Sequence, residues 1–271
     1  LIFLEPIGGL ANRIRVIATA ISLSKKLNKK LFIVWNENYE LNCPFKKLFE
    51  PIENVNFVEK RRIDRFIKRS VQNSINAKNK AKLINAFFGI DYCLTDEDHP
   101  FNDLYERLIS YKNIYIKTCQ RLNEDTNWFK VFKPINIIED KIGLLTNKFT
   151  NNTVGIQIRR TDNIYAIEES PLKLFIKKMD ELIALNPSVV FFLTTDDLNV
   201  ESELKSLYEG RVISHQKELS RTTQIGIQDA VADLFTLSKT NLILGSYWSS
   251  FSEVAAWIGH TSLQIIKRAS I

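Results

Sequence analysis

Two adjacent arginines and an aspartate follow a short apolar run in Val154-Gly-Ile-Gln-Ile-Arg-Arg-Thr-Asp162. Read as a strand, this segment puts Gln157 and Arg159 on one face and Ile158 and Arg160 on the other. A guanidinium keeps its charge and pairs bidentately with phosphate oxygens, so Arg159 and Arg160 at a strand's exit suit a diphosphate. The competing role is a structural pairing with Asp162. Thr194-Thr-Asp-Asp197 stands in the same relation to the apolar Val189–Leu193. There Asp196 and its neighbours can contact a ribose, orient an arginine or cap the next helix. Asp229 and Asp233 are four apart on a helical pattern and share a face, with one expected to point into a cleft. Gly245-Ser-Tyr-Trp-Ser-Ser-Phe-Ser252 joins a strand to a helix, where free amides and the hydroxyls of Ser249 and Ser250 can hold phosphate oxygens, or simply cap the helix. Glu168 and Glu169, just before Ser170-Pro171, occupy a loop-to-helix position from which a carboxylate can take a proton from an attacking hydroxyl. Complementing the positive end of a helix is the plainer role for the pair.

The elements that must position these groups show in the periodicity. Apolar Leu1–Leu4, the pair Gly8-Gly9 and an amphipathic pattern through Leu10, Ile14, Ile17, Ile21 and Leu27 read as strand, glycine turn and helix. Leu31–Trp35 closes a βαβ unit, Val55–Val58 continues it, and Asn113–Cys119 returns to alternation. Helical patterns are expected from Glu124 and from Ile135, and the polar Asn147–Thr153 is the candidate linker. Beyond it, strands at Val154–Ile158, Val189–Leu193, Arg211–Ser214, Leu242–Leu244 and Leu263–Ile266 alternate with helices. Such alternation predicts an α/β protein with a doubly wound parallel sheet, whose ligands lie outside the carboxyl ends of the strands. The expected domains are 1–150 and 151–271.

A chain of 271 residues, 45% hydrophobic and 25% charged, has the composition of a globular protein of about two domains. The phosphate loop of P-loop NTPases, the dinucleotide-binding glycine turn, the nucleophile elbow and the zinc-protease helix are all missing. Cys43, Cys93 and Cys119 have no metal-binding spacing and read as reduced packing residues. His99, His215 and His260 are dispersed and read as structural or exposed. No apolar run approaches the ~20 residues that span a bilayer. A cytoplasmic location is the expectation, although the chain starts at Leu1 and a targeting segment or anchor upstream stays open.

The succession Gly8-Gly-Leu-Ala-Asn-Arg13, Gln157-Ile-Arg-Arg-Thr-Asp162, Thr194-Thr-Asp-Asp197, Asp233-Leu-Phe-Thr-Leu-Ser238 and Gly245-Ser-Tyr-Trp-Ser-Ser250 resembles the fucosyltransferase superfamily. This group comprises the α1,6-, nodulation and protein O-fucosyltransferases. The resemblance implies a GT-B-like fold, with two Rossmann-type domains whose parallel sheets face a central cleft. The first would be the acceptor side and the second would bind the nucleotide sugar. It further implies inverting, metal-independent transfer from GDP-fucose to a glycan or lipid-linked glycan hydroxyl, with no cofactor. By position, Arg159 would neutralise the β-phosphate, assisted by Arg160 and by Ser249 or Ser250, while Asp233 would help hold guanine. Gln157, Asp162 and Asp196 complete the expected donor site in the second domain. Gly8, Gly9, Asn12 and Arg13 would approach the donor from the first. Glu168 would be the base. The family often has His where this chain has Gln157, whose donor and acceptor layout differs, so another GDP-sugar or nucleotide stays open.

Two other readings compete. Asp96-Glu-Asp98 has the D-x-D form that holds a divalent cation beneath a nucleotide-sugar diphosphate. The basic run Lys60–Lys82, with Asp64 its one acid and Phe66 its one aromatic, suits a nucleic acid or anionic surface. In an enzyme that run would steer an anionic or lipid-linked acceptor, with peripheral association at an anionic surface and no nucleic acid expected.

Overall fold

The computed structural model of the protein describes residues 1–59, 89–98 and 100–268. The basic run Lys60–Lys82 and His99 lie outside the described residues. The chain forms two compact units, Leu1–Lys133 and Pro134–Ile271.

In the first unit, β-branched and aromatic residues make five short strands, β1 (Ile2–Pro6), β2 (Leu31–Trp35), β3 (Val55–Glu59), β4 (Tyr92–Thr95) and β5 (Ile114–Thr118). They form one parallel sheet in the order β3-β2-β1-β5-β4. Helix α1 (Leu10–Lys26) connects β1 to β2, carries Lys25 and Lys26 where they complement its carbonyl end, and stops before Asn28 in the left-handed region. A short α2 (Leu104–Leu108) precedes β5. The helix expected from Glu124 is absent. Asp125 instead accepts the backbone N–H of Asn127 at 3.0 Å and the Trp128 indole N–H at 3.0 Å, local bonds that compete with helix formation.

The second unit contains α3 (Asn136–Thr146), β6 (Thr153–Ile158), α4 (Ile164–Glu169), α5 (Leu172–Leu185), β7 (Val190–Thr195), α6 (Leu198–Leu207) and β8 (Val212–Ile213). It continues through α7 (Gln224–Leu237), β9 (Leu242–Ser246), α8 (Ser250–Gly259) and β10 (Ser262–Ile266). The polar Asn147–Thr153, expected to be the linker, joins α3 to β6 within this unit, and the division falls earlier, at Lys133 and Pro134. The reason is packing, because α3 lies against α7. Every residue of β6 is buried, as in a parallel strand covered on both faces. Phe175, Phe191, Ile156 and Ile158 are fully buried in the core, each worth about 1.5–3 kcal/mol of transfer free energy for its side chain.

All strands of this second sheet are also parallel, in the order β10-β9-β6-β7-β8. The chain runs from β6 outward through β7 to β8, then crosses to β9 on the other side of β6. Strand order therefore reverses between β6 and β9, and the carboxyl ends of strands at such a reversal are where doubly wound sheets bind ligands.

Candidate active site

Arg159 is the first residue after β6, at that reversal. Its backbone N–H donates to Ser246 Oγ at 3.0 Å, tying the exit of β6 to the exit of β9. Its guanidinium, one quarter exposed, pairs through Nη1 with Asp196 Oδ2 at 3.0 Å and through Nη2 with Asp162. Asp196 also accepts from the N–H of Arg160 at 2.7 Å and from Thr161 Oγ1 at 2.7 Å, so one carboxylate sets the path of the whole Arg159–Thr161 turn. Arg221 closes the cluster on Asp162 at 2.8 Å. Burial alone would raise the Asp162 carboxyl, but Arg159 and Arg221 outweigh it and hold it below the usual carboxylate range.

Helix α8 begins beside this cluster. Ser249 is its N-cap residue, buried and without a side-chain capping bond, so its hydroxyl and the first-turn amides remain available to an anion. Gly245 allows this approach: a Cβ there would meet Ser252 Oγ at 2.4 Å and Ser252 Cβ at 2.6 Å. Ser250 opens the helix and is half-buried. Glu168 is exposed in the last turn of α4 rather than at the loop-to-helix position expected for it, and no hydrogen bond or ion pair engages its carboxylate among the described residues.

Several expected donor contacts are otherwise engaged. Arg160 is engaged by backbone carbonyls: Nη1 donates to the carbonyl of Arg159 at 2.8 Å and Nη2 to that of Ser170 at 2.8 Å. Burial pushes its pKa down, with Asp196 and Asp197 opposing. It shapes the α4–α5 junction. Each oxygen of Asp233 has a partner, His215 Nε2 at 2.9 Å and Lys217 Nζ at 2.7 Å. Burial favours the neutral acid, yet Lys217 and His215 outweigh it and hold the carboxyl low. Asp229 likewise faces Lys141 at 2.6 Å and the N–H of Glu218 at 3.0 Å. Gln157 is buried, with Oε1 accepting from Ser246 N at 3.4 Å. Asp197, not Asp196, caps α6, accepting from Asn199 N at 2.8 Å.

The glycine turn of the first unit is built in a comparable way. Gly8 has φ +83°, and a Cβ there would sit 2.8 Å from Asn12 Nδ2, so only glycine fits. Its N–H donates to Glu40 Oε2 at 3.1 Å. Gly9 is the residue before α1, in extended conformation. Arg13, expected to approach the donor, is fully buried instead. It donates to the carbonyls of Gly8 at 2.8 Å and Asn36 at 2.5 Å and to Asn38 Oδ1 at 2.9 Å, and lies over the Trp35 ring. Burial pushes its pKa down to about 10, still above neutrality, with Glu40 and Glu5 opposing. Asn12 Oδ1 accepts from Arg15 Nη2 at 3.1 Å.

The D-x-D carboxylates brace strand ends. Asp96 accepts from the Thr118 hydroxyl and from Cys119 N at 3.2 Å, and Asp98 accepts from Thr95 N at 2.7 Å. No group of three or more His, Cys, Asp or Glu among the described residues is arranged to hold a metal ion. The three cysteines are free thiols. Local reading gave no role to Lys217 or Arg221, none to Ser246 within its glycine segment, and took His215 only as structural or exposed. Arg221 and Lys217 stand in a polar loop with no strand or glycine signal beside them, and only proximity in space joins them to Asp162 and Asp233.

No family model matches the chain, and no curated protein matches it in sequence. In three dimensions it is similar to NodZ α-1,6-fucosyltransferase in crystals soaked with GDP-fucose, with a TM-score of 0.64 and 18% identity over 95% of this chain and 92% of that one. It is also similar to a variant of Arabidopsis thaliana FUT1 in complex with GDP, with a TM-score of 0.64 and 15% identity over 99% and 70% of the two chains. A third likeness is to POFUT1 in complex with GDP-fucose, with a TM-score of 0.55 and 11% identity over 98% and 97%. The chain shares the GT-B-like fold of the fucosyltransferases, as its motifs implied.

Proposed function

We propose that this chain is a glycosyltransferase that transfers fucose from GDP-fucose to a carbohydrate hydroxyl, with inversion and without a metal ion. The observation that carries the reading is the position of Arg159 at the strand-order reversal of the second sheet, beside the open N-terminus of α8, in a fold whose solved members hold GDP or GDP-fucose.

In the transfer, the acceptor oxygen forms a bond to the anomeric carbon from the face opposite the phosphate. The bond to the β-phosphate oxygen breaks, and its electron pair stays with GDP. Negative charge thus builds on the diphosphate while the sugar becomes oxocarbenium-like. Arg159, Ser249, Ser250 and the first amides of α8 stabilise that charge more in the transition state than in the ground state. Arg159 exchanges a carboxylate partner for phosphate as the donor arrives, with Asp196 retaining the turn. Glu168, exposed and unengaged, takes the hydroxyl proton.

Calorimetric titration tests this with GDP, UDP, ADP and GDP-fucose, with and without EDTA, on wild type and Arg159→Ala. The expected result is preference for GDP, no effect of EDTA, and at least about 100-fold weaker binding in the variant, from loss of a charge-assisted phosphate pair. Equal affinity for the three nucleotides, or GDP binding that survives the substitution, overturns the reading.

A further inference from the structure

Beside Arg159, the second unit carries an aromatic cluster that neither its core nor the donor chemistry uses. Trp248 is 65% exposed and Tyr165 is 59% exposed. Their rings meet edge to face, with centroids 4.8 Å apart and an interplanar angle of 82°, while Tyr247 lies parallel to Trp248 at 5.9 Å and 9°. The cluster is held from behind. Tyr247 N donates to Ser170 Oγ at 2.8 Å, and Asn163 Nδ2 donates to the carbonyl of Trp248 at 3.0 Å.

Trp248 also has φ +53°, a region that bulky residues avoid. A large apolar side chain kept in a disfavoured conformation and left open to solvent adds nothing to the core. Its surroundings point to a ligand instead. Trp248 is two residues from Ser246, whose hydroxyl fixes Arg159, and it directly precedes Ser249 and Ser250. The charged groups extend from Arg159 toward Asp196, on the exit of β7, and Arg221, in the loop after β8. The aromatic groups extend the other way, toward Lys267, which follows β10 and lies over the Tyr247 ring. One flank thus presents paired charges and the other exposed ring faces.

We infer that Trp248, held by Tyr165 and Asn163, is the platform on which a pyranose ring of the carbohydrate acceptor stacks. A pyranose offers C–H groups on a face and hydroxyls around its rim. This patch offers the complement, an open indole face with the polar side chain of Asn163 at its edge. The inference rests on the glycosyltransferase reading and names the acceptor side of the same site.

The test uses saturation-transfer NMR with the methyl pyranosides of glucose, galactose, mannose and N-acetylglucosamine, with and without GDP, alongside GDP calorimetry. The variants are Trp248→Gly, which accepts the positive φ and so keeps the fold, and Trp248→Phe. Expected for wild type is ring C–H saturation of at least one pyranoside. In Trp248→Gly its affinity falls at least about tenfold, Trp248→Phe retains part of it, and GDP affinity changes by less than about twofold. A pyranoside signal absent from wild type, or unchanged in Trp248→Gly, overturns the inference. So does a matching loss of GDP affinity, which would make Trp248 a support for the base. Failure of GDP to bind wild type sinks the donor reading by itself, and the pyranoside comparison still decides the platform.

Discussion

Asp196 shows how a single carboxylate can organise a site: it takes the N–H of Arg160, the hydroxyl of Thr161 and the guanidinium of Arg159 together. Arg159 is thereby aimed and charge-balanced before any ligand arrives. Glu168 is the opposite case, an exposed carboxylate with nothing to balance it. If Glu168 is the base, Glu168→Gln lowers turnover by about 10²–10⁴ while GDP affinity stays as in wild type, read by steady-state kinetics beside calorimetry. Asp233, buried against Lys217 and His215, contributes to stability. Its folded pKa lies below the unfolded value, so its contribution is present above about pH 4 and is lost as pH falls through the folded pKa. Asp233→Asn at neutral pH strands the buried Lys217 and costs about 3–5 kcal/mol, measurable by urea unfolding. Retention of wild-type stability would show that the pair is not load-sharing with the core. The position of Arg159 was legible because a strand's exit is a local property. The engagement of Arg13, Arg160 and Asp233 was not, because their partners are set by folding rather than by spacing.

The elements around the site are shaped by where backbones come close. At Gly245 the first turn of α8 presses against β9, and at Gly155 a Cβ would meet Leu237 Cδ1 at 2.5 Å, where α7 crosses β6. Gly245→Ala is expected to displace the start of α8, costing about 1–3 kcal/mol and weakening GDP binding, whereas Gly9→Ala, with no atom near its Cβ, leaves both nearly unchanged. Thermal melts with and without GDP separate the two effects. Apolar periodicity gave nearly every strand and long helix to within a few residues. It missed α4, whose six residues have too few turns to show a period and which starts where Asn163 accepts the N–H of Ala166 at 3.0 Å. It also overcalled the segment after Glu124, where side-chain-to-backbone bonds prevail over helix.

The described residues form two parallel five-stranded sheets that wind outward from their first strands in the same way and then differ. The second places its fourth strand beside its first, while the first unit sends its fourth strand to the edge and inserts the fifth. Hydrogen exchange checks which unit holds the nucleotide. GDP is expected to protect the loops after β6, β7 and β9 and the first turn of α8, and to leave β2 and β3 of the first unit unprotected; protection confined to the first unit would reverse the assignment. The amino-acid sequence alone determined the α/β class, the parallel sheets and the delivery of an arginine to a strand end, since these follow from alternation and glycine placement within short windows. Only the tertiary structure decided which arginine pairs with carboxylates and which with backbone carbonyls, which carboxylates are already paired and where Trp248 stands. Those outcomes depend on contacts between residues far apart in the chain, and the free energy of a charge or an indole is set by the neighbours folding brings to it.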